Sequence, residues 1–430
     1  MVTGREYIFD DIDQAMDYVL EAERRILMTD EYRREPPKVI RPYPGVFLET
    51  TLDRIPSVPV DSLDYPLSAW FNDAPNDKFV MTRLYSGRYS LKPNLKLRKF
   101  LFRGETEFHQ PCKPNLSRNP HQRRFTAELV KGQEMMLLML THPLVQLLDI
   151  GVELDGRVYQ FEMNLFGLSQ HYYNKTNLLD LTSNPQVAAF FATAIYDWAT
   201  DTYSPIEDDN HEPGVLYYYN LDINEDFGTL AGSRRTPLST IGLQVFPRSG
   251  KQSGFLYNLQ TDENFNDVAR LNAVRFRHNA TISKRICENY HYGKDLFPED
   301  ILMKHWIREG RDTRVISNRT VKLNHLFNPQ MKIEEVKDEI QSLGFDIQDY
   351  NPAFTQEELD DYFNAVHCHG YWTNFCRQVF IPGDKQGRMM NDLLNLPKNP
   401  KSHWAFERDN RHKIDYEQGY VMKQLKTCLV

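Results

Sequence analysis

The sequence predicts an α+β protein with helical regions at both ends of the chain. Three observations carry that prediction. Between residues 78 and 300, strand-like and helix-like periodicities are intermixed without a regular strand–helix–strand repeat, which argues against a doubly wound sheet. The stretches before and after this segment are helical in pattern. The composition is that of an ordinary folded chain: 430 residues, 41% hydrophobic and 26% charged, with a formal net charge of -8. Wholesale disorder and fibrous repeats are excluded, and the length suits two or three domains, each with its own core.

The elements follow in order. Residues 1–35 hold an amphipathic helix over 10–28, capped by Asp10 or Asp11, with Ile12, Met16, Val19, Leu20 and Leu27 on one stripe. Such a stripe serves either a partner or the protein's own core. Seven prolines between Pro36 and Pro66 interrupt regular structure, so residues 36–77 read as a wrapping linker. Residues 78–300 form the mixed segment. Within it, 95–104 ends in an apolar triplet like a buried strand, and 125–148 is helical. A helical period also runs through Phe161, Leu165, Leu168 and Tyr172. Residues 176–183 read as a strand leading into a helix with Pro185 in its first turn. Val187, Phe190, Phe191, Ala194, Ile195 and Trp198 give that helix a core face, and 215–221 and 254–259 are further strands. Residues 301–430 form a mostly helical C-terminal domain. There, 332–344 stops at Gly344, and 355–366 opens with Thr355 and Glu358 at capping-box spacing.

Five scattered cysteines without a CxxC pair fit reduced thiols. The acidic start lacks the apolar core of a signal peptide, and no run of about 18 apolar residues exists. A cytoplasmic protein without a membrane span is expected. His367-Cys368-His369 with Cys376 lacks the paired spacing of a zinc site, so no metal is expected.

Four stretches in the mixed segment stand out: Phe102-Arg103-Gly104, Ser169-Gln170-His171-Tyr172, Leu178 to Pro185 with its following helix, and Lys251-Gln252-Ser253-Gly254-Phe255. Their order and spacing resemble the FRG-domain family, named for its Phe/Tyr-Arg-Gly motif. That pattern closes here as Leu296-Phe297-Pro298-Glu299, so the resemblance covers about residues 95–300. The sequence departs at Asn177, where the family usually has an arginine. The motif layout is also similar to that of ADP-ribosyltransferases, which implies a mixed or antiparallel sheet core and NAD as substrate. It further implies a protein or nucleic-acid acceptor. By this resemblance Arg103 and Gly104 hold the pyrophosphate; Thr182 and Ser183, with Asn184, cradle the nicotinamide ribose; and Gln252 takes the place of the transferase glutamate. Proteins with this domain are mostly microbial, which implies a toxin or phage-defence role and an inhibitory partner.

The chemistry supports such roles on physical grounds. Breaking a nicotinamide–ribose bond requires a fixed pyrophosphate and a stabilised oxocarbenium-like sugar. A strand-end arginine holds phosphate oxygens in a fork, and a helix beginning at Pro185 turns free N–H groups toward Thr182 and Ser183. Asp180 can orient Arg103 or accept a ribose hydroxyl, and His171 can bind an anion or serve as a base. Gln252 supplies neither negative charge nor a proton acceptor, so Asp180, Glu105 or Glu128 would have to. Each residue also has a structural role open to it: Arg103 paired with Asp180, His171 hydrogen-bonded in a core, Thr182 to Asn184 as a helix cap, Gln252 beside a bulge. Two alternatives therefore stand beside transfer: a non-enzymatic nucleotide- or nucleic-acid-binding module, and NAD hydrolysis.

Charge is unevenly spread. From Lys78 to Arg124 twelve Lys/Arg face only Glu105 and Glu107, with Tyr85, Tyr89, Phe100, Phe102 and Phe108 interleaved, and a second basic stretch runs from Lys304 to Lys332. The first block surrounds Arg103 and leads to an expected polyanion surface there; a solvated face balanced by the acidic N-terminal helix is the other reading.

Overall fold

The structure, a computed structural model, describes residues 7–29, 74–75, 77–83, 88–95, 97–118, 126–172, 175–197, 202–221, 238–259, 263–309, 313–368 and 370–396. Apart from 74, 75 and 77, the proline-rich linker expected over 36–77 lies outside these residues. The chain divides into two compact units that interleave in sequence. One comprises 1–87, 91–114 and 177–298; the other comprises 88–90, 115–176 and 299–430.

The first unit is built on a sheet of seven strands. In chain order its main elements are β1 (Ile8–Phe9), α1 (Ile12–Leu27), β2 (Phe100–Glu105), β3 (Leu178–Thr182), α2 (Pro185–Thr193), β4 (Gly214–Asn220), β5 (Leu238–Thr240), α3 (Pro247–Lys251), β6 (Gly254–Asn258), β7 (Leu271–Phe276) and α4 (Ala280–Asn289). Across the sheet they run β1-β7-β4-β2-β3-β6-β5. Only the β1–β7 pairing is parallel; the rest are antiparallel. The class is α+β with a mixed sheet.

Alternation along β2 divides its chemistry. Successive side chains of a strand leave on opposite faces. Phe100 and Phe102 enter a core with Ile12, Met16 and Val19 of α1, Val187 to Ala192 of α2, and Leu216 and Phe276 of the neighbouring strands. Gly104 shares that face, and there helix α2 crosses the strand in contact. A Cβ built on Gly104 would stand 1.9 Å from the Ala188 carbonyl oxygen and 2.8 Å from the Ala192 Cβ. The alanines of the helix and the glycine of the strand are two halves of one close crossing. Arg103 and Glu105 leave on the opposite face.

The N-terminal helix starts at Asp11, whose carboxylate accepts from Gln14 N at 2.9 Å. It is joined to β2 by the buried Glu23. That carboxylate accepts from Lys99 N at 2.7 Å and Phe100 N at 2.9 Å, and pairs with Arg98 Nη1 at 2.7 Å. The apolar stripe of α1 thus faces the chain's own core.

The second unit is mostly helical. The segment expected as one helix over 125–148 is two, Ala127–Met139 and Pro143–Ile150, because Thr141-His142 breaks it and His142 Nδ1 caps the second by accepting from Leu144 N at 3.2 Å. The period through Phe161 and Tyr172 yields a helix only over Leu165–Gln170. The helix Ala127–Met139 lends Glu134 to the start of the helix Asn318–Phe327: its carboxylate accepts from Ser317 N at 3.2 Å and Ser317 Oγ at 2.8 Å, and from Thr320 Oγ1. Val130, Ile316, Val321, Val336 and Ile340 form the core beside it. Thr355 and Glu358 make the expected reciprocal cap. No helix among the described residues is long and apolar enough to cross a membrane.

Two outcomes follow. Gly104→Ala, a change that usually stabilises a strand, is expected to cost at least about 2 kcal/mol in urea unfolding, because helix backbone occupies the space of the new methyl. Burial lowers the pKa of His142 from 6.5 to about 3. The unfolded chain takes up this proton near pH 6.5 and the folded chain does not, so the second unit loses stability as pH falls from about 6.5 toward 3. The urea midpoint should drop across that window, and His142→Asn, which still offers a cap acceptor, should flatten the slope.

Candidate functional site

On the sheet face opposite α2, the guanidinium of Arg103 is held at three points. Nε donates to Glu105 Oε1 at 2.8 Å, Nη2 lies 2.7 Å from the same oxygen, and Nη1 donates to the main-chain oxygen of Asp180 at 2.9 Å. The ion pair is largely buried, with 16% of the Arg103 side chain and 9% of the Glu105 side chain exposed. Burial acts to lower the pKa of Arg103, but the charges of Glu105, Cys112 and Asp180 outweigh it and raise the pKa above its ordinary value, so the guanidinium is permanently charged.

Four further residues line this polar region. The Cys112 thiol lies 3.6 Å from Glu105 Oε1 and 3.9 Å from Oε2. Tyr217, directly across from Arg103 on β4, donates its hydroxyl to Asn266 Oδ1 at 2.9 Å. Burial first, and then Cys112 and Glu105, push the phenol's pKa upward, so it stays protonated. Asn266 Nδ2 donates to the His109 carbonyl oxygen at 2.8 Å, and Asn264 Oδ1 accepts from Cys112 N at 2.9 Å. These side-chain amides anchor the loop that carries Cys112 against the sheet.

The other expected site residues of this unit form a second group around the β3–α2 turn. Thr182 Oγ1 donates to the Gln252 carbonyl oxygen at 2.7 Å and accepts from Asn184 N at 2.9 Å. Ser183 N donates to the Ser253 carbonyl oxygen at 3.3 Å. Asn184 caps α2, its Oδ1 accepting from Gln186 N at 3.0 Å. Gln252 sits at the C-cap of α3 rather than on a strand, and Ser253, with φ 49°, turns the chain into β6 at Gly254. The Gln252 amide donates to the Leu296 carbonyl oxygen at 3.2 Å. At Gln252, which stands where the transferase resemblance puts a glutamate, the amide is used to tie down the segment that ends in Leu296-Phe297-Pro298.

Register separates the two groups. Phe102 pairs with Thr182, and directly paired residues share a face, so Thr182 leaves on the α2 side of the sheet and Arg103 on the other. What Arg103 meets on β3 is the Asp180 backbone. His171, buried at the end of the helix Leu165–Gln170, and Glu128, paired with Lys175 Nζ at 3.0 Å, belong to the second unit. The carboxylate beside Arg103 is Glu105. The sequence contained its signal, since residues two apart on a strand share a face, but composition alone placed it level with Asp180 and Glu128.

Three further members of the basic block have internal partners. Arg98 pairs with Glu23, Lys99 Nζ donates to the Leu221 carbonyl oxygen at 2.6 Å, and Arg88, in the second unit, pairs with the buried Asp149. Lys96, Arg123 and Arg124 lie outside the described residues. At Arg88, Arg98 and Lys99 the charges thus serve internal acceptors. Among the described residues no group of three or more His, Cys, Asp or Glu is placed to hold a metal; His369, of the cluster weighed for zinc, lies outside them.

Residues 98–199 match the family model described as FRG domain, which supports reading this part of the chain as one. No curated protein and no solved structure matches the chain. The matched span includes Arg103, Glu105 and the β3–α2 turn, and stops short of Tyr217 and Gln252.

The hydroxyl of Thr182 bridges two backbone groups, so Thr182→Val should cost about 1–3 kcal/mol by chemical denaturation, whereas Thr182→Ser should cost less than half as much.

Proposed function

We propose that the first unit binds NAD through Arg103 and transfers its ADP-ribose to a protein or nucleic-acid acceptor, with Glu105 supplying the negative charge that Gln252 lacks. One juxtaposition carries the reading: a permanently charged, partly accessible arginine stands against a carboxylate on the same sheet face. The arginine would take the pyrophosphate in its fork. The carboxylate would stabilise the electron-poor ribose as nicotinamide leaves, the role a glycosidase carboxylate plays. The Thr182-Ser183-Asn184 turn would act from the other face, by fixing strand β3, whose Asp180 carbonyl oxygen positions Arg103. On this reading the chain is a microbial toxin or phage-defence effector kept in check by an inhibitory partner.

A non-enzymatic nucleotide- or nucleic-acid-binding module is the second reading. It is favoured by Thr182 and Gln252, whose side chains are engaged with backbone atoms of the fold.

Incubating the purified chain with labelled NAD, with and without cell lysate or RNA, separates these readings. Label transfer to macromolecules is expected, with at least about 100-fold loss in Arg103→Ala and in Glu105→Gln. Free ADP-ribose without transfer would indicate hydrolysis. If NAD is neither consumed nor raises the melting temperature, the enzymatic reading fails.

A further inference from the structure

We infer that Glu105 is the resident occupant of the anion site on Arg103, and that a nucleotide enters by displacing it, so that the pair admits a pyrophosphate and turns away single monoanions. The inference rests on the nucleotide-binding reading above and adds to it how the site selects its ligand.

The geometry of the pair points this way. An arginine–carboxylate pair at its strongest makes two parallel bonds, one to each oxygen. Here Nε and Nη2 converge on Oε1, while among the described residues Oε2 has only the Cys112 thiol, a weak donor, at 3.9 Å. A guanidinium carries five N–H groups. With Nη1 on the Asp180 carbonyl, the described residues leave part of that fork without an acceptor. The pair is thus half-used on both sides, and both partners project from one rigid strand. Rotation of the Glu105 side chain alone would open the fork, with no movement of backbone. The wall beside it stays in place, because Tyr217 is held by Asn266.

Exchange then follows a simple balance. A monoanion replacing Glu105 gains one charge contact with Arg103 and loses an equal one, while leaving a buried carboxylate unpaired. A pyrophosphate leaves the same carboxylate unpaired, but its second charge and additional acceptor oxygens offset that cost by filling both the vacated position and the unused N–H groups. The displaced carboxylate remains within the length of its own side chain of the ligand, where the proposed chemistry requires it.

The test is calorimetric titration of the full chain with ADP-ribose, which carries a pyrophosphate, and with cyclic AMP, an adenosine phosphate of single negative charge. Wild type should bind ADP-ribose and bind cyclic AMP far more weakly. Glu105→Gln should tighten ADP-ribose about tenfold and cyclic AMP by more, narrowing the gap between them, and Arg103→Ala should abolish both. Glu105→Asp, which keeps the charge on a shorter arm, should shift affinities in the same direction and carries the test if the glutamine variant does not fold. If both Glu105 variants bind ADP-ribose no better than wild type while Arg103→Ala still loses it, the exchange is refuted and nucleotide binding stands. If no variant and no wild-type sample binds ADP-ribose, the nucleotide-binding reading falls, and the exchange with it.

Discussion

The close crossing of α2 over β2 at Gly104 is the constraint on which the first unit depends. With helix backbone 1.9 Å from where a Cβ would be, no other residue fits without moving the helix. That crossing seats Val187 to Ala192 on Phe100 and Phe102, and so builds the core that α1 closes from its own side. It also fixes which face of β2 is apolar. Once Phe102 and Gly104 are committed to the helix, alternation leaves Arg103 and Glu105 no choice of side.

The three residues of the Phe-Arg-Gly motif therefore do three different things. Phe102 fills the core, Gly104 admits the helix, and Arg103 emerges on the far face with a carboxylate beside it. Apolar packing on one face and a buried ion pair on the other make β2 costly to alter at any of these positions. The β3–α2 turn is supported from a different direction. Thr182 holds both the α3–β6 connection and the start of α2, and Gln252 holds the segment ending in Leu296-Phe297-Pro298. Residues that look like a ligand cradle in sequence act first as the fastening of three chain segments. A ligand site can still form beside such a fastening, because a rigid turn holds its neighbours without reorganisation.

Much of the local structure was legible along the chain. The helix caps, narrowed to Asp10 or Asp11 for the first helix, to Ser183 or Asn184 for α2 and to Thr355, together with the strand that carries Phe102-Arg103-Gly104 and the helix expected over 332–344, are all set by near neighbours, within one turn or one alternation. The break at His142 was not, because Pro143 is tolerated at a helix start and only the cap geometry shows that a new helix begins there. The basic block misled for a related reason. A count of charges does not see that Glu23, over seventy residues away, and the carbonyl of Leu221 are waiting for Arg98 and Lys99.

By itself the sequence determined the α+β class and the position of β2 and its motif, because these depend on periodicity and short-range pattern, while the order of four short motifs carried the resemblance to the FRG domain that the family match at residues 98–199 supports. Only the tertiary structure decided which polar residues meet. Register, not spacing, puts Thr182 across from Phe102 and away from Arg103, and a helix C-cap, not a strand, carries Gln252. The physical reason is the same in both cases. Side-chain direction changes with every residue of a strand, so a long-range pairing shifted by a single position would exchange the faces. Nothing within a strand's own sequence specifies the partner position that settles it.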